Sequence, residues 1–151
     1  MLARNIHFAN GVAVFVGKDQ EETIVLSETF GPRLLKYELK AGGLKGLEVF
    51  LDNKDMTGYV DGLDCAGTKC YAVMPSAISP VHKLWSMLPA AVDVFFRTFI
   101  MALPRRFAPP VQKYGGILEV DPSTGAFRYF QDPNGLDIAM LCGVTEHDGK
   151  L

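Results

Sequence analysis

Val12-Ala13-Val14-Phe15-Val16, Lys18-Asp19-Gln20-Glu21-Glu22 and Thr23-Ile24-Val25-Leu26-Ser27-Glu28 follow one another near the start of the chain. They read as a short apolar run, a polar turn and a β-branched run, which is the pattern of two strands joined by a reversal. Working outward, Arg33-Leu34-Leu35-Lys36-Tyr37-Glu38-Leu39 alternates over much of its length, and Gly42-Gly43 precedes Gly46-Leu47-Glu48-Val49-Phe50-Leu51. Four short strands punctuated by turns make one antiparallel sheet, such as a propeller blade.

The pattern then restarts. Residues 60–65 and 69–74 read as the first two strands of a second sheet, and residues 116–120 and 126–130 as the third and fourth. Asp121-Pro122-Ser123-Thr124-Gly125 between the last two has strong turn chemistry, and Asp132-Pro133-Asn134-Gly135 is a further turn. A third sheet is expected to begin within 138–146. Val144-Thr145-Glu146-His147-Asp148-Gly149-Lys150-Leu151 reads as a strand, a two-residue turn at Asp148-Gly149 and the first residues of a returning strand. The expectation is therefore a piece of a larger all-β fold: about two blades and the start of a third, with a helical insertion.

That insertion occupies residues 79–114. Ser79-Pro80 is a good helix start, with serine as N-cap and proline in the first turn. Pro89 is expected to break the segment into two helices, the second over 90–103. Lys83, Asp93 and Arg97 interrupt its apolar character, and a membrane span needs about 20 mostly apolar residues. Apolar bulk with cations at Lys83, Arg97, Arg105, Arg106 and Lys113 fits an interfacial helix on a membrane surface. A pair of helices packed over the sheet and a lid over a substrate are the other two readings, and the three can coexist.

Composition supports a folded chain, since 48% hydrophobic against 21% charged residues is a globular balance. A formal net charge of -2, without a long run of Lys or Arg, gives no nucleic-acid surface. The opening Met1-Leu2-Ala3-Arg4-Asn5 lacks the apolar core of a signal peptide, which says little about compartment. Cys65 and Cys70 flank Ala66-Gly67-Thr68-Lys69, an expected hairpin loop. They could form a bridge in a secretory setting or remain two thiols on neighbouring strands. Cys142 has no obvious partner.

Two polar-glycine elements recur in similar settings. Phe8-Ala9-Asn10-Gly11 leads into the first strand of the first sheet, and Val60-Asp61-Gly62 opens the second. Such pairs are first of all turn signals. In a propeller, however, the innermost strands of successive blades converge on a central channel. An Asn amide oxygen and an Asp carboxylate there are hard ligands suited to Ca²⁺.

Phe8-Ala9-Asn10-Gly11-Val12 followed by Val25-Leu26-Ser27-Glu28-Thr29 resembles the strictosidine synthase-like family, which includes an adipocyte plasma membrane-associated type and is related to the paraoxonases and gluconolactonases. Tyr59-Val60-Asp61-Gly62, Pro104-Arg105-Arg106 with Tyr114-Gly115-Gly116, Asp132-Pro133-Asn134-Gly135 and Val144-Thr145-Glu146-His147-Asp148-Gly149 match in the family's order across nearly the whole chain. The resemblance implies a six-bladed β-propeller with calcium in its channel, of which this chain supplies part of the C-terminal half. It implies Asn10 and Asp61 as calcium ligands, with the other ligands supplied by blades outside the chain. Gly62 stands where the family's motif has Asn, a departure shared with the gluconolactonases.

The implied activity is calcium-dependent hydrolysis of esters or lactones, with a small apolar substrate and with the insertion as a possible contact to a membrane surface. A secretory-pathway or endoplasmic reticulum membrane location is favoured on the same basis. Alkaloid synthesis is not expected. Cys142 falls where strictosidine synthases carry the glutamate that handles the proton, and a thiol is a poor substitute for a carboxylate at neutral pH. No catalytic residue is assigned. His147 is expected to be an exposed turn residue, His82 a surface residue of the insertion, and His7 a residue of a flanking outer strand. Glu28 and Asp64 are expected as edge or turn carboxylates. A non-catalytic membrane-associated propeller, or an inactive truncated product, is the alternative.

Overall fold

The computed structural model describes residues 6–17, 20–40, 43–44, 46–80, 84, 92, 94–95, 98–99, 102–104, 106 and 112–151. The chain divides into two compact units, one formed by Met1–Ala77 with Lys113–Leu151 and the other by Ile78–Gln112.

Among the described residues of the first unit, the regular structure is β apart from one short 3-10 turn at Asn53–Asp55. Strands β1 (Ala9–Val16), β2 (Glu22–Glu28) and β3 (Arg33–Lys40) form an antiparallel meander, with Ala13 opposite Val25 and Val25 opposite Lys36. The short β4 (Gly43–Leu44) and then β5 (Glu48–Leu51) both pair with β3, so the strand expected over 46–51 begins at Glu48 and is the fifth of the sheet. The ladder between β1 and β2 shifts register between Ala9 and Val12, beside Asn10. The core of this sheet is Phe15, Val25, Leu34, Leu35, Tyr37 and Leu51, all buried.

After the 3-10 turn comes β6 (Gly58–Tyr59), which later pairs with β9 (Ser76–Ala77). The second sheet contains β7 (Leu63–Ala66), β8 (Lys69–Met74), β10 (Gly115–Val120) and β11 (Phe127–Asp132), ordered β11-β10-β8-β7 and antiparallel at every step. The continuous apolar run Cys70-Tyr71-Ala72-Val73-Met74 is buried over its whole length because β8 is an inner strand covered on both faces. Outermost β11 leaves Phe127 and Phe130 partly exposed. Tyr129 anchors it inward by donating to the Asp55 carbonyl. Burial, first, pushes the Tyr129 phenol up to about 12.

The architecture is thus all-β and is that of a partial propeller: two consecutive antiparallel sheets, of five and of four strands, whose first strands, β1 and β7, pack against each other. Residues 63–66, not 60–65, form the laddered part of the second sheet's first strand. Asp61 and Gly62 continue it through Asp61 N–H to Val73 O at 2.9 Å and Val73 N–H to Gly62 O at 3.0 Å.

The expected strand over 138–146 is absent as a ladder. A ladder needs repeated pairing along a neighbour, and this segment is held instead by a bond from the Met140 N–H to the Tyr114 carbonyl at 3.0 Å. The hairpin at the end does form. His147 and Lys150 exchange hydrogen bonds of 2.9 and 3.0 Å around Asp148 and Gly149, both at positive φ. Upstream of it, Asp132 holds its turn closed by accepting from Ile138 and Asp137 backbone N–H groups, which lowers its pKa.

In the second unit, Pro80, Leu84, Val92, Val94, Phe95, Thr98, Phe99 and Ala102 have helical backbone, so helix does begin directly after Ser79. Pro89, the expected break, and His82 lie outside the described residues. Among the described residues no helix is long and apolar enough to cross a membrane.

Candidate functional site

Asn10 and Asp61 are brought together by two hydroxyls of β2 and the residue that follows it. Ser27, fully buried, accepts from the Gly11 N–H at 2.7 Å and donates to the Asp61 carbonyl at 2.6 Å. Two residues on, Thr29 Oγ1 donates to the Val60 carbonyl at 2.7 Å and accepts from Asn10 Nδ2 at 3.1 Å. Alternation along a strand puts both hydroxyls on one side. Each joins the Asn10-Gly11 segment of the first sheet to the Val60-Asp61 segment of the second.

Close approach of the backbones makes this possible, and glycine permits it. A Cβ on Gly11 would sit 2.6 Å from Leu63 N and 2.7 Å from Leu63 Cβ. The relation repeats one step on: a Cβ on Gly62 would sit 2.5 Å from the Cys142 carbonyl oxygen. Both glycines thus mark places where the opening of one sheet meets the next segment inward. Three sequence-selected residues, Asn10, Asp61 and Cys142, consequently lie along one run of neighbouring segments.

With its amide nitrogen on Thr29, Asn10 retains Oδ1 as an acceptor. Asp61 is half-buried and uses its backbone, not its carboxylate, in the hydrogen bonds that fix it. An amide oxygen on a side chain tied to Thr29 and a carboxylate on an anchored backbone are the right chemistry for Ca²⁺, which takes six to eight oxygen ligands. By donor type they would suit part of such a shell. Among the described residues no group of three or more His, Cys, Asp or Glu side chains could hold a metal by itself.

The other candidates fall elsewhere. His147 is 90% exposed and lies 3.5 Å from the Asp148 carboxylate. His7 is not on an outer strand. It precedes β1, where its backbone N–H donates to Glu28 Oε1 at 2.9 Å and its carbonyl accepts from Phe30. Glu28 is no edge or turn carboxylate either. It ends β2 fully buried, held by Arg33 Nε at 2.7 Å, because the β2–β3 reversal returns Arg33 alongside it. Asp64 lies on the edge strand β7 and accepts from the Cys65 N–H. Cys65 and Cys70 are joined by a disulfide across the β7–β8 hairpin, whose turn is Gly67-Thr68, and Cys142 is a free, exposed thiol.

Sequence reasoning gave no role to Ser27 and Thr29. The available signal was a pair of hydroxyls at alternate positions at the end of an otherwise apolar strand. It also missed Glu119, a buried carboxylate in β10 clamped by Arg128 at 2.7 Å and by Lys69. The hydrogen bond from Arg128 does most to hold its pKa below the usual carboxylate range.

No protein-family model matches the chain. Over its whole length it is similar to proteins named adipocyte plasma membrane-associated protein: 29% identical to that of Salmo salar, 26% to that of Danio rerio and 27% to that of Homo sapiens. It spans 36% of the length of each of these relatives. The family motifs and the similarity along the chain agree, and the chain is similar over its whole length to the adipocyte plasma membrane-associated proteins.

Proposed function

We propose that the propeller containing these two sheets is a calcium-dependent hydrolase of small apolar esters or lactones, with Asn10 Oδ1 and the Asp61 carboxylate among its calcium ligands. The observation that carries this reading is the double hydroxyl clasp, in which Ser27 and Thr29 fix two oxygen-bearing segments side by side. A bound Ca²⁺ supplies Lewis acidity toward an ester carbonyl. The chain's own contribution is preorganisation. Asp61 is anchored at both its N–H and its carbonyl, so little backbone freedom remains to be lost on binding. Cys142, next to Gly62, offers a thiol in place of a carboxylate, which argues against amine–aldehyde condensation.

The test uses the full-length protein, with calcium binding followed by calorimetry and aryl-ester cleavage measured in calcium and in chelator. Asp61→Ala is expected to weaken calcium binding and to abolish calcium-dependent cleavage. Unchanged binding and turnover in that variant refute the assignment.

A second reading takes its support from the similar proteins, which are named as plasma membrane-associated. Under it the propeller is a non-catalytic, membrane-associated body in which calcium is structural. Asp61→Ala then lowers thermal stability in calcium, and no ester is cleaved by either form.

A further inference from the structure

We infer that the insertion docks on the surface of an anionic bilayer as an in-plane amphipathic segment, with Phe95 and Phe99 as its apolar anchors. This rests on the membrane-associated reading and states which part of the chain makes the contact and with what lipid chemistry. Within the insertion, Leu84 is 62% exposed, Phe95 65% and Phe99 54%. The Phe95 and Phe99 rings stack on each other at 6.5 Å, and Val92, Phe95 and Phe99 recur at the i, i+3, i+7 spacing of one helix face. Clustered large apolar side chains held at the surface mark a contact site, whereas scattered single ones do not.

Charge selects the occupant. Residues 78–112 carry Lys83, Arg97, Arg105 and Arg106 against the single acid Asp93, in a chain whose formal net charge is -2. An excess of cations in the same stretch of sequence as these aromatics complements an anionic leaflet, to which each juxtamembrane cation adds about 1 kcal/mol. Since no described helix is long enough to span, the fitting geometry lies along the interface. Trp85 is the chain's only tryptophan and belongs to the same segment, so its emission reports on this region alone.

The experiment is flotation of the chain with vesicles of phosphatidylcholine alone or mixed with phosphatidylserine, together with Trp85 fluorescence. Expected are binding that is stronger with phosphatidylserine and a blue shift of Trp85 emission on binding. The double variant Phe95→Ser with Phe99→Ser should lose roughly a hundredfold in affinity on both vesicle types, as two exposed Phe side chains no longer leave water. Arg105→Gln with Arg106→Gln should lose roughly thirtyfold with phosphatidylserine and little without it. Far-ultraviolet circular dichroism confirms that each variant keeps its β signal. If the Phe variant floats like the parent, the docking segment is wrong while membrane association stands. If the parent floats with neither vesicle, both fall.

Discussion

Removing one oxygen atom at Ser27 tests the clasp that defines the candidate site. Ser27→Ala leaves the Gly11 N–H and the Asp61 carbonyl without their partner at a fully buried position. Each orphaned buried group costs about 1–3 kcal/mol, and water is poorly placed to replace the hydroxyl where the backbones are this close. The two together give about 2–4 kcal/mol, after some relaxation. In urea, with a slope of about 1–3 kcal/mol/M, the midpoint falls by about 1–2 M with the slope unchanged. Thr29→Val supplies the comparison. Its hydroxyl is only half-buried, so water can take over and the loss should be about 1 kcal/mol. Calcium affinity, measured by calorimetry in the full-length protein, should fall in Ser27→Ala beyond the loss in Thr29→Val, because Asp61 is then anchored from one side only. A Ser27→Ala protein within about 0.5 kcal/mol of the parent refutes the clasp, since surface-like positions behave that way.

Three further outcomes follow from the same structure. Glu119 titrates below its ordinary value in the folded state, so the stability it contributes is present above the unfolded carboxylate pKa and is lost as pH falls through the lowered one. Glu119→Gln should flatten the acid limb of a stability-versus-pH curve below about pH 4.5. The Tyr129 phenol, pushed up to about 12, has the opposite sign. Its contribution is intact below about pH 10 and fades between there and about 12, so Tyr129→Phe should remove part of that alkaline slope, followed by urea titration at each pH. A thiol reagent should find one reactive cysteine per native chain, Cys142, and three after reduction and unfolding. The hairpin disulfide closes a short loop, so its reduction should cost only about 2 kcal/mol in denaturant.

Much of the fold was legible because strands in this chain are short, β-branched and separated by residues with defined turn chemistry. The runs containing Thr23 and Lys69, and the Asp121 and Asp148-Gly149 turns, needed no tertiary information. Residues 138–146 were misread as a laddered strand for a definite reason. Apolar content signals burial in a sheet, but only a partner supplies the hydrogen bonds. Glu28 was misread because its burial depends on where the chain returns with Arg33, a fact of turn geometry and not of composition. Asn10 and Asp61 were selected by motif, yet nothing local to either reveals that Ser27 and Thr29 bind their segments together. Such contacts across 16 to 34 residues of sequence are invisible to periodicity.

The second sheet is completed only when β10 pairs with β8, after the chain has left the first unit at Ala77 and returned to it at Lys113. For a flexible connection, the entropy of closing such an excursion rises slowly, about 0.6 kcal/mol for each doubling of its length. The blade therefore works as a socket: its register is set by the β8–β10 ladder, while the sequence hung between them is thermodynamically cheap to lengthen, shorten or replace. Relatives could diverge in what they touch by exchanging this one cassette, leaving the strands that carry Asn10 and Asp61 undisturbed.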